Sequence, residues 1–252
     1  MEFNRNNILN KTTTTKKAVV MDEGLRAYML KVYNYMTTGL LFTGLVAYFF
    51  GKASIISNEV GQIIGITPLG SMLFNSPLKW LVMLAPLGFV FYLSARLHKM
   101  SLSNAQITFW IFSAIMGLSL ASIFIVYTQA SIARVFFISS GTFAAMSLYG
   151  YTTKKDLTKL GGFLFMGLIG IIIASLVNLF FQSSALHFAI SVIGVLVFVG
   201  LTAYDTQRIK EMYYAGDSES VGGKKALMGA LRLYLDFINL FIMLLRLFGQ
   251  RR

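Results

Sequence analysis

The sequence predicts an all-α membrane protein with seven transmembrane helices, and three observations support that prediction. Hydrophobic residues make up 56% of the 252 residues and charged residues only 13%, whereas a soluble domain is about one-quarter charged. The mean hydropathy is +0.68. The apolar residues are gathered into runs close to the ~20 residues that a helix needs to cross a bilayer. These runs are too long for barrel strands and show no sustained alternation, so we expect helices.

Each predicted span is a mostly apolar run that ends at a polar or charged connection. The second run is interrupted by Pro86, and the sixth closes at the pair Gln207 and Arg208. The seventh run is the least apolar, because it contains Arg232 and Asp236. In chain order the spans are 33–50, 78–97, 107–127, 132–151, 160–181, 186–207 and 227–248.

The first 30 residues form a separate region in this prediction. They are polar, with a threonine tract and scattered lysines, so they do not resemble a cleaved signal peptide. We expect residues 1–30 to be a flexible cytoplasmic tail and residues 31–252 to be a seven-helix transmembrane domain. The longest connection, 51–77, mixes glycine, proline, serine and apolar residues, and either dips into the membrane or lies on it.

The distribution of Lys and Arg predicts the orientation. The N-terminal tail and the loops after spans two, four and six are rich in basic residues, whereas the opposite connections hold only Lys52, Lys79 and Arg134. The positive-inside rule therefore places the N-terminus in the cytoplasm. Seven spans then place the C-terminus outside, although the tail RLFGQRR carries three arginines. Either the early spans override that charge, or the last segment re-enters from the cytoplasm.

Several classes of function are disfavoured by the composition and by missing motifs. The net charge of +12 lies in short loops between spans, so we expect no nucleic-acid binding. The chain has no cysteine, which excludes disulfides and thiolate chemistry. It contains no HExxH, no GxxxxGK[ST] and no GxSG sequence, so we expect neither an enzyme nor a cofactor. An intramembrane aspartyl protease would need GxGD where this chain reads LYLD, at 233–236.

Small residues recur at four-residue spacing within three of the spans. Such pairs let helices approach closely in lipid, so we expect ordinary packing between helices of the chain at these positions. The pairs are Gly117 with Ala121, Gly141 with Ala145, and Gly170 with Ala174.

Two carboxylates are the most informative polar residues. Of ten acidic residues, only Asp205 and Asp236 lie inside apolar runs, where a charged group is costly. Asp205 lies three residues inside Arg208, and Asp236 lies four residues inside Arg232. At 1.5 Å per residue, these depths are ~4.5 and ~6 Å, so the two acids can meet on antiparallel helices. Asn239 shares the helix face of Asp236 and can donate a hydrogen bond to it.

A pair of carboxyl groups at hydrogen-bonding distance cannot easily ionise twice, so it can hold one shared proton near neutral pH. Such a pair is a proton sensor, and its oxygens can also contact a calcium ion transiently. The alternative is that each aspartate reaches the interface or pairs with a nearby arginine and has no further role.

Four stretches resemble the Bax-inhibitor family, the transmembrane Bax-inhibitor-motif proteins. GLTAYDTQRIK at 200–210 carries the family's most specific signature, a small residue followed by an aromatic residue and Asp-Thr-Gln. LYLDFINLF at 233–241 is similar to its last-helix motif, and MGLS at 116–119 and SLYGYT at 147–152 are supporting matches. The resemblance covers residue 25 to the end of the chain.

The resemblance implies six helices around a central C-terminal helix, and a pH-sensitive calcium leak across the membrane. Asp205 and Asp236 match the family's hydrogen-bonded pair, with Tyr204, Thr206 and Gln207 as supporting residues of the motif. An arginine on the second helix is implicated in some members, and Arg96, at the very end of span two, is the only arginine there.

Family resemblance also leaves two functions open. The expected partners of a leak are a permeant calcium ion and membrane lipids, and the short loops are typical of a bacterial inner membrane protein. Relatives in eukaryotes suppress cell death, and some bacterial relatives bind and restrain a membrane protease. The alternative is therefore a regulatory protein that transports nothing and binds a membrane protease or a stress or cell-death partner.

The orientation is directly testable. We expect a reporter fused before Met1 to give a cytoplasmic signal and one fused after Arg252 to give an external signal, because the basic loops stay inside. Paired alkaline phosphatase and fluorescent-protein fusions at each end measure this. A cytoplasmic signal at both ends would contradict seven crossings and favour a re-entrant last segment.

Overall fold

A computed structural model describes the backbone of residues 3–59 and 62–252, and the side chains of residues 23–59 and 62–252. Its elements in chain order are α1 (Phe3–Ala53), β1 (Ile55–Ser57), β2 (Ile63–Ile66), α2 (Pro68–Phe74), α3 (Leu78–Arg96), a 3-10 turn (Leu97–Lys99), α4 (Leu102–Leu120), α5 (Ile123–Val126), α6 (Gln129–Thr152), α7 (Thr158–Phe181), α8 (Ser184–Glu211) and α9 (Glu219–Phe248).

The starts of four long helices are set by hydroxyl side chains. Ser101, Thr128, Ser183 and Ser218 adopt extended backbone conformations, and each side-chain oxygen accepts the N–H of the residue three positions later. These bonds satisfy amide groups that the helix itself leaves unpaired. They explain why α4, α6, α8 and α9 begin directly after short polar connections.

The prediction of an all-α membrane protein is confirmed. Six helices of the described chain are long and apolar enough to cross a membrane: α3, α4 with α5, α6, α7, α8 and α9. They contain the predicted spans two to seven, and α3 continues through Pro86. The first predicted span, 33–50, lies inside α1, which packs along α4 and α9. A seventh crossing by α1 stays a prediction.

The last helix is the centre of the bundle. In its most apolar stretch α9 has 72% of its residues buried, whereas the other five candidate spans have between 11% and 39%. Helices α1, α4, α6 and α8 pack directly on α9, while α3 packs mainly on α4 and α7 mainly on α8. Because α9 faces protein on most sides, its charged residues are not forced into lipid.

The bundle has two ends. The basic end carries the loops 97–101, 153–157 and 212–218, and there Tyr28 of α1 packs against Tyr213, with ring centroids 5.6 Å apart. At the opposite end, α9 finishes beside Tyr127. Helix α9 runs from end to end as one continuous helix and does not turn back.

The C-terminal tail is attached at that opposite end. Thr128 donates its backbone N–H to the carbonyl of Gln250 at 3.0 Å, and Arg252 donates to the carbonyl of Val126, also at 3.0 Å. Tyr127 and Arg251 form an antiparallel β-bridge. Residues 250–252 therefore lie at the opposite end of the bundle from the loop 212–218, which connects α8 to α9. This position requires α9 to run the full length of the bundle.

Two regions fall outside the predicted pattern. The connection 51–77 contains a two-stranded antiparallel hairpin, β1 with β2, followed by the short helix α2. The predicted flexible tail, 1–30, lies mainly outside the residues whose side chains the structure describes. Helix α1 runs through it from Phe3, and Tyr28 and Met29 are buried in the part whose side chains are described.

Only one of the three small-residue pairs marks close packing at its glycine. A methyl group added at Gly117 would overlap the backbone of Thr43 in α1, whereas one added at Gly141 or Gly170 would meet no neighbour within 4 Å. Among the described glycines, the closest approach to the backbone of another element is instead at Gly150 of α6, where an added methyl would overlap the carbonyl of Ala203 in α8. The expected packing at Gly141 and Gly170 is therefore wrong, because both face outward from the bundle.

Gly150 should be required for the contact between α6 and α8. We expect Gly150→Ala to lower the free energy of unfolding by about 1–3 kcal/mol, because the new methyl forces the two backbones apart. Gly141→Ala, on the same helix, is the matched control and should be neutral or stabilising by up to ~1 kcal/mol. Thermal unfolding of the purified variants in one detergent compares them, and equal melting temperatures would contradict the close contact.

Candidate functional site

Asp205 and Asp236 meet between the antiparallel helices α8 and α9. Their carboxyl groups lie within hydrogen-bonding distance of each other. Asp236 is buried, with 5% of its surface exposed, and the side chain of Asp205 is 15% exposed. The structure thus brings together the two acids that the sequence placed at one depth. Asp205 lies on the outer side of the pair, and Asp236 on the inner side.

Arg232 is the third member of this site, and sequence reasoning used it only to mark the membrane interface. Its Nη1 lies 3.6 Å from Oδ1 of Asp205, and its side chain is 48% exposed. Arg232 precedes Asp236 by one helical turn, so both project from the same face of α9. That four-residue spacing was the signal that could have identified Arg232 as a partner of the pair.

The inner carboxyl group is not fully hydrogen-bonded by the described residues. Oδ2 of Asp236 is buried and has no donor among the described side chains and backbone amides. A buried acceptor without a partner is costly, and a carboxylate more so than a neutral group. A proton held between the two carboxyl groups would supply the missing donor, since a protonated carboxyl both donates and accepts.

The side chains around Asp205 point in different directions. The ring of Tyr204 covers Gly161 of α7, and its hydroxyl accepts a hydrogen bond from Nε of Arg208 at 3.3 Å. Gln207 is buried and holds the loop between α6 and α7. Its Oε1 accepts the N–H of Leu157 at 2.9 Å, and its Nε2 donates to the carbonyl of Lys155 at 2.9 Å. Gln207 therefore fixes where α8 ends relative to this loop.

Thr206 faces away from the acid pair. Its hydroxyl donates to the carbonyl of Thr202 at 2.7 Å and lies 3.0 Å from the hydroxyl of Ser147 in α6. Ser147 in turn lies 2.6 Å from the hydroxyl of Tyr33 in α1. This chain of hydroxyl groups joins three helices inside the bundle, and none of its hydrogen bonds involves the carboxyl groups.

The remaining predicted site residues, Asn239 and Arg96, form no hydrogen bond or ion pair with the two acids in the described part of the chain. Asn239 donates its amide to the carbonyl of Leu235, on its own helix, at 2.8 Å, although it lines the same cavity as the acids. Arg96 is exposed at the end of α3 and forms no ion pair with a described acid. No group of three or more metal-ligating side chains occurs among the described residues.

A cavity of about 1120 Å³ begins at the acid pair and follows α9. It lies between α3 and α7, and α9 forms its back wall from Arg232 to Arg246. At 1.5 Å per residue, that wall is about 21 Å long, more than half the ~30 Å thickness of a bilayer core. The polar residues that line it include Asp205 of α8 and Arg232, Asp236, Asn239 and Arg246 of α9.

The shared proton of the pair should be visible by infrared spectroscopy. We expect the wild type at pH 7 to show one protonated carboxyl band, because the pair relieves its repulsion by keeping a proton. Asp205→Asn and Asp236→Asn should each remove or shift that band, and Glu211→Gln, an exposed acid of the same helix, should leave it unchanged. Identical spectra for wild type and both aspartate variants would rule out a shared proton.

Comparison with known proteins assigns the family. Residues 25–252 match the family described as "Inhibitor of apoptosis-promoting Bax1", the Bax-inhibitor family. An uncharacterized protein of Rickettsia prowazekii is 50% identical over 240 residues, covering 95% of this chain and 96% of the relative. "Inner membrane protein YbhL" of Escherichia coli strain K12 is 48% identical over 232 residues, covering 91% and 94%. The chain is thus a member of the Bax-inhibitor family.

Proposed function

We propose that the protein is a pH-sensitive leak channel for calcium and similar cations, gated by Asp205 and Asp236. The observation that supports this is the position of the pair, which is half inside the bundle and at one end of the long cavity. A change of charge at such a position acts both on the contact between two helices and on the entrance of the cavity. The channel is not an enzyme and needs no cofactor in this proposal.

The closed state is held by a charge balance of three side chains. With one proton shared, the two carboxyl groups carry a single negative charge, and Arg232 neutralises it from 3.6 Å. The ion pair links α9 to α8. It also places the guanidinium group of Arg232 in the polar end of the cavity. A cation entering there meets Arg232 before it meets a free carboxylate, so the arginine opposes conduction.

Acid weakens that balance. When the second carboxylate is protonated, the pair becomes neutral and the Coulomb attraction that holds Arg232 disappears. The side chain of Arg232 is already 48% exposed, so it can swing toward solvent without unfolding any helix. Protons therefore favour the state in which Arg232 has left the cavity, and the leak increases as the pH falls.

The Asp205–Asp236 pair is suited to weak, transient binding of calcium and not to tight binding. Calcium prefers six to eight oxygen ligands, while this site offers two carboxyl groups and the side-chain oxygen of Asn239, whose amide nitrogen is engaged by Leu235. Few ligands give weak binding, which lets an ion leave as readily as it enters. This property fits a slow leak.

The proposed setting is a bacterial inner membrane, with the basic end of the bundle in the cytoplasm. The relative from E. coli is an inner membrane protein, and the Lys and Arg residues of the loops follow the positive-inside rule. The acid pair then senses cytoplasmic pH. A partner such as a membrane protease is the alternative, and it becomes the preferred function only if no ion flux is found.

Calcium entry into proteoliposomes tests the channel. We expect wild-type flux to rise from pH 8 to pH 6, since a difference of one pKa unit between closed and open states changes their ratio about tenfold. Asp205→Asn and Asp236→Asn should each flatten this pH response, because each leaves a pair that cannot share a proton between two carboxyl groups.

Two further variants distinguish a specific effect on the pH sensor from a general loss of protein folding or function. Arg232→Gln removes the closing ion pair, so its flux at pH 8 should approach the wild-type flux at pH 6. Glu211→Gln, in an exposed ion pair with Arg208, should behave as wild type. Wild-type flux no greater than that of protein-free liposomes would defeat the channel and favour the binding function, and an unaltered pH response in both Asp→Asn variants would place the sensor elsewhere.

A further inference from the structure

A second polar pocket lies at the opposite end of the bundle, about 15 Å along α9 from Asp236 to Arg246. It has a volume of about 600 Å³ and is formed by the end of α7, the start of α8 and the end of α9. The residues that give it its polar character are Asn178, Gln182, Ser183, His187, Arg246 and Arg251. The acid pair, the signature motif and the proposed gating do not use it.

The pocket is positively charged, and its described lining contains no acidic residue that would neutralise this charge. Arg246 and Arg251 form no ion pair with a described acid, and the lining includes no Asp or Glu. Both arginines are close enough to act electrostatically on His187. Two cationic side chains around one cavity without an acid attract an anion from outside the chain.

One hydrogen-bonding atom of the pocket also lacks a partner. Nε2 of His187 is buried and has no partner among the described residues. The pocket includes Ser183 and Ser184, at the N-terminus of α8, where the helix dipole favours a negative charge. Guanidinium groups, an imidazole and a helix N-terminus together provide the donors that a phosphate group accepts.

The neighbouring cavity indicates that the anion has an apolar part. The polar pocket and the long cavity share Ser175, Leu179 and Arg246, so they meet at one wall. The long cavity is bordered by apolar side chains of α3 and α7 that are exposed to the surroundings of the bundle, such as Leu87, Phe165 and Leu176. A headgroup at the arginines can therefore lay its acyl chain against these exposed side chains, at the outer border of that cavity.

From this geometry we propose that the pocket binds the phosphate of an anionic phospholipid. The pocket lies at the end of the spanning helices, where lipid phosphates lie, and the groove beside it runs in the direction of an acyl chain. The phosphodiester accepts hydrogen bonds from Arg246, Arg251 and the Nε2–H of His187, and the acyl chain lies along the exposed apolar side chains of α3 and α7. A free phosphate ion would use only the polar half of this arrangement.

The test measures lipid binding by the whole purified protein in an uncharged detergent. Short-chain phosphatidylglycerol is titrated against the protein, and binding is followed by native mass spectrometry or thermophoresis. Short-chain phosphatidylcholine, glycerophosphoglycerol without acyl chains, and inorganic phosphate are titrated in parallel. We expect saturable binding of phosphatidylglycerol that is at least about fivefold tighter than binding of phosphatidylcholine, as one basic contact to an anionic lipid predicts.

Substitutions locate the site. Arg246→Gln and Arg251→Gln should each weaken binding of phosphatidylglycerol about fivefold or more, and the double variant should weaken it about 25-fold. Arg134→Gln is the matched control, because Arg134 is an exposed arginine near the same end that does not line the pocket. The variants replace exposed side chains, and an unchanged melting temperature confirms that they fold.

Each contrary outcome has a definite meaning. Equal affinity for phosphatidylglycerol and phosphatidylcholine, or equal effects of Arg134→Gln and the two pocket variants, would overturn the site. Binding of inorganic phosphate or glycerophosphoglycerol as tight as that of the lipid would overturn the lipid as ligand and leave a soluble anion. Because the readout is binding, failure of the calcium-flux experiment would not alter any of these results.

Discussion

The burial of one carboxyl group inside an apolar bundle is the constraint on which the rest of this structure depends. Asp236 projects from the most buried helix, and moving an isolated carboxylate into such a site is expensive. Its cost is limited by the second carboxyl group, on α8, and by the nearby guanidinium of Arg232. Helices α8 and α9 must therefore stay in register, because a shift of one helical turn would leave Asp236 without a neighbour.

That register is reinforced from several directions. Gln207 fastens the end of α8 to the loop between α6 and α7 through two hydrogen bonds. Gly150 lets α6 approach α8 at Ala203, two residues from Asp205. Tyr234, fully buried on α9, shares a hydrogen bond of 2.7 Å with Thr43 of α1. The apolar packing positions the helices broadly, and these few polar or tight contacts determine how they align along their axes.

The sequence predicted the spans well because hydrocarbon imposes a simple rule on composition and length. Six of the seven predicted spans lie inside helices long and apolar enough to cross, and Asp205 and Asp236 stood out because a carboxylate rarely occurs in such a run. Spacing along two antiparallel helices was enough to place them together. The unusual charge content of span seven, with Arg232 and Asp236, reflects burial in protein.

Other features depended on rotation and on long-range contacts that spacing does not specify. Gly141 and Gly170 have the small-residue pattern of a packed face, yet both face outward, since the pattern carries no information on which face meets a neighbour. Thr206 and Gln207 follow Asp205 in sequence, but successive residues of a helix project about 100° apart, so Thr206 reaches α6 and Gln207 reaches the loop between α6 and α7. The hairpin at 55–66 has strands of only three and four residues, which are too short to show an alternating pattern in the sequence.

The central position of α9 also affects how the protein can be made. The helix that fills the core follows the other described helices in the chain, so α1 and the five other candidate spans are synthesised before their common packing surface exists. Hydroxyl groups of Tyr33, Ser147 and Thr206 can pair early, but α1, α4, α6 and α8 gain their shared partner only when α9 has been synthesised. Biogenesis must therefore keep these helices together until α9 is made, and Gln250 and Arg252 then bond to residues 126–128.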